Sequence, residues 1–375
     1  RRYKFVLILL ISFLSLQAQQ FDEGGNADIW KSDSTGSIEK ISLVNAFKSE
    51  IVKYFPTGKI FTVDNKPELS PACHVSDGYF SVPKVTDSLY CKNLVEICTK
   101  NNIKIIIPTI DTELIILAEN MDYFRDYGIL PIVSSLDMIE VCRDKRKTHL
   151  FFDSIGFPRA NDIDLLNPEF PIFAKPFNGS RSIGIRLIES IEALNEAKLD
   201  TNLMFLKYLS PNEHVEYTVD MYFDRNSNLK CIVPRERIEI RAGEVSKGVT
   251  RKNEIYDIVL SYFKMCKGFV GCVTLQLFYN IKNGDYFGIE INPRFGGGYP
   301  LSYHAGANFP NMIIREYLLD QDIEFYENWK NNLSSKRSSY MFQSYQTGIR
   351  IPNPPDWTWK KHKEETKEKM RNHKG

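Results

Sequence analysis

Apolar positions recur along the chain in two rhythms, and the change between them comes near residue 140. From Lys59 onward, short apolar runs alternate with amphipathic stretches. KIFTVD (59–64) reads as a strand ending in an acid. SLYCKNLVEICTKNN (88–102) sets Leu89, Leu94, Val95, Ile97 and Cys98 on one side of a helix. IKIIIPTID (103–111) is a buried strand closed by Pro108. DTELIILAENMDYFRDYG (111–128) is a helix with Asp111 and Thr112 as caps and Gly128 as its stop. ILPIVSS (129–135) is another strand, and Ser135-Leu136-Asp137 opens a further helix. Strand and helix alternating at this pace predict an open parallel α/β sheet. Its first strand should precede STGSIEKISLVNAFKSEIVKYF (34–55), but ADIWKSD (27–33) makes a poor strand.

Beyond residue 140 strands dominate. FPIFAKPFNGSRSIGIRLIES (170–190) is strand, Gly/Ser loop, strand, and NLMFLKYLSPNEHVEYTVDMYFD (202–224) is strand, turn, strand. KCIVPRERIEIRAGEVS (230–246) adds a strand pair. GFVGCVTLQLFYNIKNGDYFGIEINPR (268–294) is a hairpin turning at Asn283-Gly284. This half predicts an α+β arrangement with antiparallel sheets. The end, WKKHKEETKEKMRNHKG (359–375), is a solvated mixed-charge helix or tail.

Composition narrows the classes. The chain has 375 residues, 43% hydrophobic and 25% charged, enough for two or three domains with real cores. A net charge of +1 gives no electrostatic reason to expect nucleic acid. Seven cysteines, an odd number without a CxxC pair, point to a reduced cytoplasmic protein with buried thiols. Six histidines at no ligand spacing argue against zinc. One stretch disagrees. Arg1, Arg2 and Lys4 precede an apolar run from Phe5 to Leu16, which resembles a bacterial export signal and is too short for a stable membrane span. Residues 1–37 are therefore expected to be a poorly structured leader, either an export signal or the product of a misassigned start.

Three stretches carry chemistry. In the hairpin, Glu290 and Asn292 share one strand face because the strand period is two, and Gln276 lies on the partner strand. If Gln276 faces Glu290, three oxygen donors converge, which suits a hard cation that also holds phosphate oxygens. Arg294 follows as a fork for a phosphoryl group or carboxylate. A polar strand face on solvent would carry the same residues. In AKPFNGSRSIGI (174–185), Lys175 ends a strand, and Gly179, Ser180, Ser182 and Gly184 form a loop whose N–H groups can cradle phosphates. It is not a Walker A loop, because the lysine comes before the glycines. In CRDKRKTHLFFDSIGFPRA (142–160), Asp144 caps a helix and Lys145 stands in its first turn, against the macrodipole unless an anion compensates.

Taken in order, these motifs resemble the ATP-grasp superfamily. Asp144-Lys145, Thr148 and Gly156-Phe157-Pro158 look like the entry to its nucleotide-binding domain, and KPFNGSRSIG like its mobile phosphate loop. LKYLSPNEHVEYTVDMYFD resembles its adenine hinge, and LQLF…GIEINPR its metal strand pair. Within the superfamily the chain is most similar to one half of the carbamoyl phosphate synthetase large chain, over roughly residues 38–320. The resemblance implies a Rossmann-like parallel α/β domain over 38–135, before a two-lobed ATP-grasp domain over 136–325. Its lobe A would take about 136–205 and its lobe B about 206–325, with a charged C-terminal extension over 326–375. It further implies ATP and Mg2+ (or Mn2+). Lys145 and Lys175 would contact the phosphates and Gly179, Ser180 and Ser182 would close over them. The backbone at Lys207 and Leu209 would read adenine, without the glutamate that the hinge commonly carries. Glu216 would hold the ribose. His214 matches a nucleotide contact of biotin carboxylase-like members, or is a turn histidine. Gln276, Glu290 and Asn292 would bind the metal, and Arg294 with Asn292 would serve the acyl phosphate. Arg241 and Lys247 are further candidates for phosphates or the second substrate.

The reaction implied is a ligation, in which ATP phosphorylates a carboxylate and an amine attacks the acyl phosphate. An amino-acid or peptide ligase is expected. The alternatives are a bicarbonate- or carbamate-phosphorylating enzyme that needs a partner chain, and a non-catalytic nucleotide-binding module. Small-molecule carboxylate and amine substrates are the partners expected, and a homodimer stays open. Gly296, Gly297 and Gly298 leave backbone for a substrate to approach, or simply make a turn. Asp111 and Glu113, after the strand 103–107, are either acceptor-site residues or helix caps.

Overall fold

A computed structural model describes residues 6–10, 34–178, 184–241 and 244–336. The N-terminal part runs β1 (Val6–Leu10), α1 (Ser34–Tyr54), β2 (Lys59–Asp64), α2 (Pro71–Val75) and β3 (Tyr79–Ser81). It continues with α3 (Tyr90–Asn101), β4 (Ile103–Ile107), α4 (Asp111–Glu119), α5 (Met121–Asp126) and β5 (Leu130–Pro131). The five strands form one parallel sheet in the order β3-β2-β1-β4-β5. The order reverses between β1 and β4, and in such sheets the crevice outside the carboxyl ends at that reversal is where ligands sit.

The central strand corrects the sequence reading. VLILL, set aside as part of a leader within residues 1–37, pairs Val6 with Lys59 and Leu10 with Val63 on one side, and Leu7 with Ile105 on the other. An unbroken apolar run behind basic residues suits an export signal, but it is also what a parallel strand covered on both faces requires. The stretch ADIWKSD and the tail beyond residue 336 lie outside the described residues. The helix expected over 111–128 is in fact two. Asn120 donates its side-chain amide to the Ile116 carbonyl at 2.8 Å at the break between α4 and α5.

The rest of the chain follows as α6 (Leu136–Arg143), α7 (Lys145–Ser154), β6 (Ile172–Pro176), β7 (Arg186–Ile188), α8 (Ile191–Ala197) and β8 (Leu203–Lys207). Next come β9 (His214–Phe223), β10 (Leu229–Arg241), β11 (Glu244–Thr250), α9 (Glu254–Phe263), β12 (Gly271–Asn280) and β13 (Tyr286–Asn292). The described chain ends with α10 (Tyr299–Ala305), α11 (Phe309–Leu318) and β14 (Ser334–Lys336). A small antiparallel sheet has the order β7-β6-β8, and a larger antiparallel one the order β13-β12-β9-β10-β11-β14. The fold is thus mixed, a parallel α/β unit followed by two antiparallel sheets.

The two faces of the large sheet differ in chemistry, and register explains how. Gln276 pairs with Glu290 and with Thr218, while Thr274 pairs with Asn292 and with Asp220. Arg235 pairs with Thr218 from the other side. With a side-chain period of two, one face therefore carries Asn292, Glu290, Gln276, Thr274, Thr218, Glu216, Asp220 and Arg235 across four strands. The opposite face presents Ile291, Leu275, Leu277, Val219 and Met221, all buried in the main core with Phe263 of α9 and Phe309 of α11.

Candidate functional site

The polar face converges at β13. The register sets Gln276 opposite Glu290, and Asn292 donates its side-chain amide to Glu290 Oε1 at 3.1 Å. Lys145 at the start of α7 reaches Glu290 Oε2 from above, at 3.7 Å. Asp144 caps that helix by accepting from the Arg146 N–H at 2.9 Å, and the Lys145 N–H donates to the Phe177 carbonyl at 2.8 Å, which ties α7 to the small sheet. The Arg146 guanidinium lies 3.5 Å over the Phe177 ring.

Lys175 enters from β6 and is only 6% exposed. Burial pulls its ammonium down to about 8; the Glu290 carboxylate resists, and the Lys145 charge adds to the fall. Two lysines and one carboxylate thus share a partly dry space, a surplus of positive charge that suits anionic oxygens. His149, one turn after Lys145, is 3% exposed, and neither ring nitrogen has a hydrogen-bond partner. Burial, helped by Lys175 and Arg159, lowers its imidazole to about 4, so it stands neutral beside the lysines.

Arg294 follows β13 and is held from the N-terminal sheet. Its Nε donates to Asp111 Oδ1 at 2.7 Å and its Nη2 to Asp111 Oδ2 at 2.8 Å, while Nη1 donates to the Phe295 carbonyl at 3.1 Å. Burial alone would raise the Asp111 carboxyl. Arg294 overcomes this, with Arg143 and Lys145 adding to it, and holds the group below the usual range. Glu113 takes another course. It is 1% exposed, accepts from the Tyr90 hydroxyl at 3.2 Å, and burial raises its carboxyl to about 7 against the pull of Lys40.

The remaining candidates divide. Glu216 forms an ion pair with Arg237 of β10, and burial still raises its carboxyl. Arg237 was missed in the sequence, although the alternation in PRERIEIR puts it on the same face as Arg235. The Lys207 N–H is already given to the Asn161 carbonyl at 2.9 Å. Leu209 packs with Phe173 and Phe177 against Ala160, Met204 and Leu206, an apolar wall fit for a flat ring. His214 donates its Nδ1–H to the Ser210 carbonyl at 2.9 Å and lies beside Phe278 and Phe287, as a turn histidine would. Lys247 pairs with Glu239. Gly179, Ser180 and Ser182 lie outside the described residues, as does the side chain of Arg241.

Two of the three loop glycines answer to neighbours inside the protein. A Cβ on Gly298 would stand 2.0 Å from Arg235 Nη1, and one on Gly296 would stand 3.0 Å from Thr274 Oγ1. Arg235 is fully buried and paired with Asp220, which also accepts from the Ser302 hydroxyl at 2.6 Å. The loop therefore lies flat on a buried ionic network. Among the described residues no group of three or more His, Cys, Asp or Glu side chains could hold a metal alone. One carboxylate beside two amides still fits magnesium, which keeps few protein ligands and draws the rest from phosphates and water.

Comparisons with known proteins match two segments of the chain and its fold. A family model described as PylC-like, N-terminal domain, matches residues 34–132, and one described as ATP-grasp in the biosynthetic pathway with Ter operon matches residues 200–337. A curated relative, the 3-methyl-D-ornithine–L-lysine ligase of Methanosarcina mazei, is 24% identical over 156 residues. That is 40% of this chain and 37% of the relative, so the match spans little more than a third of that enzyme. Among solved structures, the biotin carboxylase domain of Hydrogenobacter thermophilus 2-oxoglutarate carboxylase, in complex with MgADP, ADP and bicarbonate, superposes with a TM-score of 0.61. The two are 15% identical over 89% of this chain and 74% of that one. The N5-carboxyaminoimidazole synthetase of Staphylococcus aureus, complexed with ADP, gives 0.58 at 16% identity over 86% and 79%.

Proposed function

We propose that this chain, an ATP-grasp protein with a PylC-like N-terminal domain, is an ATP- and magnesium-dependent ligase that joins a carboxylate to an amine. One observation carries the reading: Gln276, Glu290 and Asn292 share one sheet face, with Lys145 and Lys175 facing the same carboxylate. The curated relative joins two amino acids by its name, and this favours amino acids as both substrates here.

The residues divide the work. Leu209 and its apolar neighbours receive the adenine ring, and Lys145 and Lys175 draw the phosphate oxygens toward β13. Gln276, Glu290 and Asn292 would hold magnesium, which when bound neutralises charge on the transferring phosphoryl group. Such a transfer needs little proton chemistry from the protein; positioning and charge stabilisation supply most of the acceleration. Arg294 meets the oxygens of the acyl phosphate, and the amine then attacks its carbonyl carbon and releases phosphate. The carboxyl ends of β1 and β4, where the parallel sheet reverses, frame the place for the substrates.

The test is ADP release by the purified chain with Mg-ATP, against pairs of amino acids drawn from a pool. Release that needs one carboxylate and one amine, and that disappears in Glu290→Ala, is the expected result. Equal release by Glu290→Ala and the unaltered chain would overturn the assignment.

A further inference from the structure

Arg294 and Asp111 lie 183 positions apart in sequence and meet in a two-bond fork. A guanidinium has five N–H donors in a fixed plane. Nε spends its one donor on Asp111, Nη2 spends one there, and Nη1 spends one on the Phe295 carbonyl. Among the described residues this leaves one N–H on each terminal nitrogen, and with the Phe295 carbonyl taking the Nη1 hydrogen on the Cδ side these two form a second fork at the tip of the side chain. A planar fork of that kind matches two oxygens of a phosphoryl group or carboxylate.

A free arginine side chain would spread over many rotamers beside β13, and ordering it costs conformational entropy. Here that ordering is done before any ligand arrives. The carboxylate comes from the first turn of α4, just past the carboxyl end of β4, so the parallel sheet fixes where the arginine points. The pair also keeps the guanidinium charge compensated while it is partly buried, at 21% exposure.

We propose that Asp111 is a positioning residue, holding Arg294 by its side face so that the tip fork is presented to the phosphoryl group formed over Glu290 and Asn292. The inference rests on the ligase reading above for the identity of the anion. It makes the N-terminal sheet part of the phosphoryl-transfer apparatus as well as a frame for substrate. A contrary role is open to experiment, in which Asp111 competes with the anion and must leave first.

Calorimetric titration of inorganic phosphate into the full chain, with and without saturating Mg-ADP, separates these. Asp111→Asn is expected to weaken phosphate binding about tenfold, the coupling usual between groups in contact. Mg-ADP affinity should stay unchanged, which also reports that the variant is folded. Asp111→Glu should recover part of the loss. Arg294→Ala should lose as much as Asp111→Asn, and the double variant no more than either. Asp122→Asn, an exposed acid in the neighbouring helix, serves as control. Phosphate binding that tightens or holds steady in Asp111→Asn, additive losses in the double variant, or no phosphate binding by the unaltered chain would each overturn the proposal. Failure of Mg-ADP to bind, with the phosphate effects intact, would overturn the ligase reading and leave the positioning role standing.

Discussion

Lys175 is the residue whose environment speaks most directly about its task. Burial has brought its ammonium down to about 8, so the group loses its charge within reach of ordinary buffers. On the proposed reading its cationic form holds phosphate oxygens, and its neutral form gives up that attraction. ATP affinity is therefore expected to weaken about tenfold as pH rises from 7.5 to 9, because the free site must take up a proton to bind. Lys175→Arg, which stays charged, should bind ATP with a flat profile over the same range. Equilibrium binding measured across pH checks this, and a flat profile in the unaltered chain would remove Lys175 from the phosphates. The sequence showed the lysine and its loop, since both lie in one short motif. It did not show Arg237 as the partner of Glu216, because that pair depends on the register of β9 against β10.

At the scale of elements, the site exists because α7 lies close against β13. Phe152 of α7 comes so near Gly288 that a Cβ there would stand 2.7 Å from its ring. The same helix carries Lys145 to Glu290. Gly288→Ala must push the helix and strand apart, and an overpacked core of this kind costs about 1–3 kcal/mol. Urea unfolding should show that loss, together with weaker ATP binding as Lys145 is carried away; a variant as stable and as tight as the unaltered chain would show that the contact gives freely. Hairpin, turn and polar spacing of β12 and β13 were legible in the sequence, where Asn283-Gly284 sits between two alternating runs, and Gly284 adopts a φ of 81°. Which helix would cover the hairpin was not legible, since Gly288 reads as one glycine among several. Nor were the buried demands of Arg235 and Thr274 on Gly298 and Gly296, which arise from strands distant in sequence.

Across the whole molecule, a parallel sheet and two antiparallel ones bring residues from distant parts of the chain to one carboxylate on β13. The alternating rhythm before residue 140 predicted the parallel sheet, yet its central strand hid in a run that resembles an export signal. Apolar length and flanking charge are the same in both cases, and only pairing with β2 and β4 distinguishes them. The link from Asp111 to Arg294 was invisible for a similar reason, because each residue had a complete local explanation as a cap or as a phosphate ligand. The account as a whole depends on Glu290 joining a metal to the nucleotide. Calorimetric titration of ATP with and without Mg2+, on the unaltered chain and on Glu290→Ala, tests that dependence most directly. The account predicts binding that Mg2+ strengthens at least about tenfold in the unaltered chain, and an advantage lost in the variant. ATP binding that ignores Mg2+, or a Glu290→Ala protein that keeps the full metal effect, would contradict it.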